Sequence, residues 1–165
     1  MIPSPASVEP AAPILVLGIG NVLLGDEGAG VHAMRRLEQM HRFDAVDFAD
    51  GGTLSFTLAA LIESRQALIV LDAAEMQAPP GSVAVFEDER MDEFLGSGRK
   101  RSAHEIGLLD LMALAALAGG LPVRRALIGI QPLSIDWSES PSEPVAQAIP
   151  SACARACELI ERWQS

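Results

Sequence analysis

The chain predicts a three-layer α/β fold, a twisted and mostly parallel five-stranded sheet with helices on both faces, on three observations. Short unbroken aliphatic runs, Ile14-Leu15-Val16-Leu17 and Ala67-Leu68-Ile69-Val70-Leu71, read as strands buried on both sides. Over the first seventy residues such runs alternate with segments of helical periodicity, the pattern of right-handed βαβ units. The composition is nearly half apolar with few aromatics and no Tyr, which suits a core of aliphatic side chains.

In chain order, residues 1–12 are rich in Pro, Ala and Ser and predict a loosely ordered extension to a single domain over 13–165. The first strand runs from Ile14 into the turn Gly18-Ile19-Gly20-Asn21. A helix from about Gly28 to Met40 follows, with Val31, Met34, Leu37 and Met40 as its inward stripe. A short strand over 45–49 is expected to end at Asp50-Gly51-Gly52-Thr53, where Thr53 caps a helix reaching Ile62. The third strand, 67–71, is expected to end at Asp72. Pro79-Pro80-Gly81 breaks the chain, and Ser82–Glu87 reads as a shorter strand near an edge. Asp88 to Ala103 mixes acids, Gly96-Ser97-Gly98 and a basic triplet, and is expected to be a long irregular loop, with a flap over the substrate as its sharper reading. A very apolar helix, 105–118, stops at Gly119-Gly120, and Val123–Ile130 forms the last strand. The tail from Pro144 to Trp163 is helical, with Pro150 either kinking it or opening a second helix.

A chain of 165 residues buries roughly 70% of its unfolded surface, enough for a core without metal or disulfide support. The net charge of −10 argues against a nucleic-acid partner, which needs clustered Lys and Arg; Arg99-Lys100-Arg101 is the one basic run. Cys153 and Cys157, four apart on one helical face, read as small buried hydrophobes and point to a reducing compartment. Neither a secretory signal nor an apolar run of about 20 residues is present, so no membrane association and a cytoplasmic location are expected.

Ligands of open α/β sheets sit outside the carboxyl ends of the strands. The polar residues expected there are Asn21, Asp26 and Glu27, then Asp50, Asp72 and Gln131, with His104 reaching the same edge from the start of the apolar helix. The first loop does not suit a nucleotide: Leu23 stands where a dinucleotide fingerprint needs its third Gly, and Asp26-Glu27 stand where a phosphate loop needs Lys and a hydroxyl. Carboxylates with one imidazole suit a borderline divalent cation such as nickel or zinc better than magnesium. No Gly-x-Ser-x-Gly elbow occurs, and His104-Glu105-Ile106-Gly107-Leu108 lacks the second His of a zinc-protease helix. Read alone, Asp26 and Glu27 equally suit an acidic first helical turn, and His104 a cap.

Four segments taken together resemble the hydrogenase maturation endopeptidases, which trim the C-terminal extension from the large subunit of nickel-iron hydrogenases. They are Leu17-Gly18-Ile19-Gly20-Asn21-Val22-Leu23-Leu24-Gly25-Asp26-Glu27-Gly28-Ala29-Gly30-Val31, Asp50-Gly51-Gly52-Thr53, Val70-Leu71-Asp72-Ala73 and Ser102-Ala103-His104-Glu105-Ile106-Gly107-Leu108. The resemblance implies that Glu27, Asp72 and His104 contact a metal and take part in cleavage. It also implies that Asp50 bears on activity and substrate recognition, with Asn21, Gly51, Gly52 and Gln131 beside it as substrate contacts. The implied partner is a hydrogenase large-subunit precursor, and the implied metal is nickel carried by that precursor, for which Zn or Cd can substitute. Asp50 and His104 are the candidates for general base. A non-catalytic nickel-sensing chaperone for the same precursor is the alternative, and a nucleotide-binding module is a weaker one. The segment Gly129-Ile130-Gln131-Pro132-Leu133-Ser134-Ile135-Asp136-Trp137 resembles the branch serving cytoplasmic NAD-reducing or bidirectional hydrogenases.

Overall fold

The computed structural model describes residues 11–52, 57–97 and 103–165, the side chains of 103–106 excepted. The expected roles of residues 1–10, the cap at Thr53 and the basic triplet at 99–101 lie outside the described residues.

Five strands, β1 (Ile14–Ile19), β2 (Val46–Gly52), β3 (Ala67–Ala73), β4 (Val83–Glu87) and β5 (Arg124–Ile130), form one sheet in the order β2-β1-β3-β5-β4. The pairs β1–β2, β1–β3 and β3–β5 are parallel, and the edge pair β4–β5 is antiparallel. β1 and β3 are buried at every position, as unbroken aliphatic runs covered on both faces must be.

Side chains of a strand alternate between faces, and here they sort into two clusters. Val16, Ile69, Leu71 and Ile128 pack with Val31, Met34 and Leu37 of helix α1 (Ala29–Gln39) and with Ala152, Ala156 and Ile160 of helix α5 (Glu143–Gln164). Leu15, Leu17, Leu68, Val70 and Leu127 pack on the other side with helices α2 (Thr57–Glu63), α3 (Glu89–Gly96) and α4 (Ala103–Leu117). The predicted three-layer α/β fold is the one observed. Cys153 and Cys157 are buried free thiols on the inner face of α5, and burial pushes the Cys153 thiol up to about 11.

Several boundaries differ from the sequence reading. Asp50 and Asp72 lie inside β2 and β3 rather than in loops after them, because each strand keeps its parallel ladder to the very edge of the sheet. Much of the expected long loop is helix α3, whose Met91, Phe94 and Leu95 are buried; Phe94 stacks on Phe86 of β4 with ring centroids 4.1 Å apart. The flap reading therefore fails for Glu89–Gly96. His104 lies within the first turn of α4 rather than ahead of it. α5 runs unbroken through Pro150, whose lost hydrogen bond is offset by the buried row Val145, Ala148, Ile149, Ala152 and Cys153 around it.

No helix among the described residues is long and apolar enough to cross a membrane.

Candidate active site

Glycines bring the first acidic residues to the sheet edge. After β1 the chain turns at Gly20, which has φ +130° and whose added Cβ would lie 1.9 Å from the Glu27 carbonyl oxygen. A single 3-10 turn, Gly25–Gly28, carries Asp26 and Glu27 and feeds directly into α1. At Gly30 a Cβ would lie 2.0 Å from the Leu71 carbonyl oxygen, so the start of α1 presses on the end of β3 one residue before Asp72. Glu27, half-buried, and Asp72, 1% exposed, thus meet at one edge, with the 3-10 turn lying against β3.

The alternation along β3 turns Asp72 away from Leu71, toward the layer that contains α4. Its register partner on β5 is Gly129, which places no side chain beside it. α4 precedes β5, a strand parallel to β3, so α4 runs antiparallel to both and its first turn stands at the carboxyl edge. The backbone of His104 is therefore on the correct layer and at the correct end to face Asp72; its side chain lies outside the described residues.

Asp50 is placed differently. It is level with Gly18 of β1, which is level with Leu71 of β3, so two strand spacings, roughly 10 Å, separate it from β3. Its side chain lies on the α1 face: Arg35 donates to Oδ2 at 3.0 Å and the Gly52 amide to Oδ1 at 2.8 Å. Gly51 and Gly52 act here through backbone. The Gly52 carbonyl accepts the Gly20 amide at 3.0 Å, locking the end of β2 to the first glycine turn.

Asn21 Oδ1 accepts the Leu23 amide at 2.9 Å, and its side chain makes no other hydrogen bond among the described residues. Gln131 is buried, and both ends of its amide are engaged. Oε1 accepts the Met76 amide at 2.7 Å and the Ala78 amide at 3.4 Å, while Nε2 donates to Glu75 Oε2 at 3.0 Å. This geometry makes Gln131 a brace for the loop after Asp72.

Asp26 holds a position that its sequence context did not reveal. It is 1% exposed, and its carboxylate accepts the Ser142 amide at 2.6 Å, the Leu133 amide at 2.8 Å, the Ser142 hydroxyl at 2.8 Å and the Ser134 amide at 3.2 Å. Burial pushes this carboxyl up, but the bonds from Ser142, Leu133 and Ser134 together outweigh it and hold the pKa below the ordinary value. Backbone bonds from Gly25 to the Ser138 carbonyl at 2.8 Å, and from Ser138 to the Leu23 carbonyl at 2.9 Å, complete a strap of residues 131–142 alongside the 3-10 turn. The acid beside the candidate ligand is a structural anchor, and a buried polar side chain bonding so far along the chain has no local signature.

Among the described residues no three His, Cys, Asp or Glu side chains are grouped to hold a metal. Glu27 and Asp72 supply two hard oxygen donors, and the backbone of His104 lies in the first turn of α4 at this edge. A cleft of ≈ 810 Å³ opens at the opposite, amino edge between Pro13, Phe43, Arg124 and Trp163, away from all of these groups.

With this geometry in view, likenesses to known proteins are informative. A family model described as hydrogenase maturation protease matches residues 31–159. The hydrogenase expression/formation protein HupD of Rhizobium leguminosarum bv. viciae is 38% identical over 164 residues, covering 98% of this chain and 81% of that protein. The hydrogenase maturating endopeptidase HybD from E. coli superposes with a TM-score of 0.83 at 31% identity, over 90% of this chain and 92% of that one. The [NiFe] hydrogenase maturation protease HybD from Thermococcus kodakarensis gives 0.76 at 30%, over 88% and 97%.

Proposed function

Because the chain belongs to the hydrogenase maturation protease family, we propose that it removes the C-terminal extension of a nickel-iron hydrogenase large-subunit precursor after nickel insertion, and that the precursor's nickel is what it recognises. The observation that carries this reading is Asp72: a buried carboxylate closing an aliphatic strand, with Glu27 brought to the same edge and the first turn of α4 above it. Two carboxylates at the carboxyl edge beside the start of α4 supply oxygen donors suited to a cation that arrives with the substrate.

In this reading Glu27, Asp72 and His104 engage the nickel that arrives with the substrate, and zinc or cadmium in its place would meet the same donors. The ion polarises the scissile carbonyl as a Lewis acid, and a water molecule attacks it. Of the two candidates for general base, His104 is favoured by the layer and end of the sheet on which its helix starts. In this reading Asp50, which is two strands away and paired with Arg35, meets the substrate's tail. Asn21 offers its side-chain amide from the turn after β1, and Gln131 supports the edge from within.

The test is the intact mass of a large-subunit precursor incubated with the protein, with and without prior nickel insertion. Loss of one C-terminal peptide from the nickel-loaded precursor alone is expected. Stable binding with no change of mass would reassign the chain as a nickel-sensing chaperone.

A further inference from the structure

The strap of residues 131–142 presents a surface that nothing in the chemistry of Glu27, Asp72 and His104 requires. Leu133, Ile135 and Trp137 alternate along it and are 57%, 48% and 81% exposed, and Leu23, bonded through its carbonyl to Ser138, adds a fourth apolar side chain at 48%. Of the other exposed large apolar residues described, Leu109, Leu114 and Leu117 share helix α4, away from the loop after β5, and Met40, Leu61 and Val123 are far apart in the chain. Single exposed apolar residues are ordinary, but a contiguous group beside a reactive edge marks a binding surface.

Two features identify what binds. The strap is not a loose loop: four hydrogen bonds to the buried Asp26 carboxylate fix it, and the next residue is Glu27. Anything seated on Trp137 is therefore held in register with the site. The strap itself is also of one sign. No Lys or Arg occurs between Ala126 and Ala154, while Asp136, Glu139 and Glu143 do. The complementary partner surface is apolar and flanked by Lys or Arg.

We propose that this strap is the docking platform for the large-subunit precursor, taking an apolar segment with basic neighbours on the folded body of that partner, apart from the peptide that is cut. The proposal rests on the protease reading above for the identity of the partner. A second copy of this chain is a poorer fit, because its matching surface would bring two acidic rims together.

The test compares the wild type with the double variant I135S/W137S, and with Val123→Ser as an exposed apolar control at the opposite edge of the sheet. Binding of nickel-loaded precursor is followed by surface plasmon resonance, processing by intact mass, and oligomeric state by sedimentation. Both variants should melt close to the wild type, since Trp137 and Val123 are each 81% exposed and Ile135 is 48% exposed. Loss of a central aromatic anchor weakens binding about tenfold or more, so Kd and KM should rise by that factor in I135S/W137S, with the control unchanged. Wild-type Kd and KM in the double variant overturn the docking proposal and leave the protease reading intact. Weakened binding of a precursor that even the wild type leaves uncut upholds the platform and removes the protease reading. A wild-type dimer that the double variant dissociates, with Kd for precursor unaltered, assigns the strap to self-association and overturns the proposal.

Discussion

Asp26 and Glu27 are adjacent acids with different roles, and only the fold separates them. One side chain turns inward to bind Ser142, Leu133 and Ser134; its neighbour sits half-buried at the end of β3. Asp26→Asn keeps the size but replaces an acceptor oxygen with a donor facing backbone amides. Charged hydrogen bonds of this kind contribute on the order of 1–3 kcal/mol, so urea denaturation should show a loss of that size. Processing should weaken mainly through KM as the strap loosens. At this scale the sequence was legible for position along the chain: Glu27 follows β1, Asp72 stands near the end of β3, and the His104 backbone lies in the first turn of α4. It was not legible for roles fixed by partners over a hundred residues away, as with Asp26, or by a side chain's face of the sheet, as with Asp50. A local pattern records neither.

Elements were legible where hydrophobicity is continuous or strictly periodic. β1, β3, α1 and the very apolar α4 all fall within a few residues of their expected bounds. α3 was missed because acids and a trailing glycine mask its three buried residues, Met91, Phe94 and Leu95. The close seat of α1 on β3 was signalled by Gly30 but measurable only in three dimensions. Gly30→Ala places a methyl group 2.0 Å from a backbone oxygen that cannot yield without moving β3 or the helix. Overpacking costs about 1–3 kcal/mol, and here it also lifts the 3-10 turn bearing Glu27 from Asp72. The expected result is a lowered melting temperature together with a fall in kcat, whereas a stability loss with kcat intact would show that the helix seat does not set the site's geometry.

Across the whole molecule, acid stability is shaped by His32 on α1. Burial, with Arg35 nearby, holds its imidazole below the ordinary 6.5, and its buried Nε2 has no hydrogen-bond partner among the described residues. The unfolded chain therefore takes up this proton more readily than the folded one, so stability is full above about pH 6.5 and is lost as pH falls through the folded value. A series of urea midpoints from pH 8 to 5 should decline at the acid end, and His32→Gln should flatten that decline. The strand order β2-β1-β3-β5-β4 bears on a different moment in the protein's life. A ribosome releases β4 and α3 well before β5, the only strand that β4 pairs with, and releases Ser142 later still. Glu27 is synthesised early yet reaches its final setting among the last parts of the molecule, so a nascent or truncated chain has no assembled edge with which to cut a precursor ahead of time.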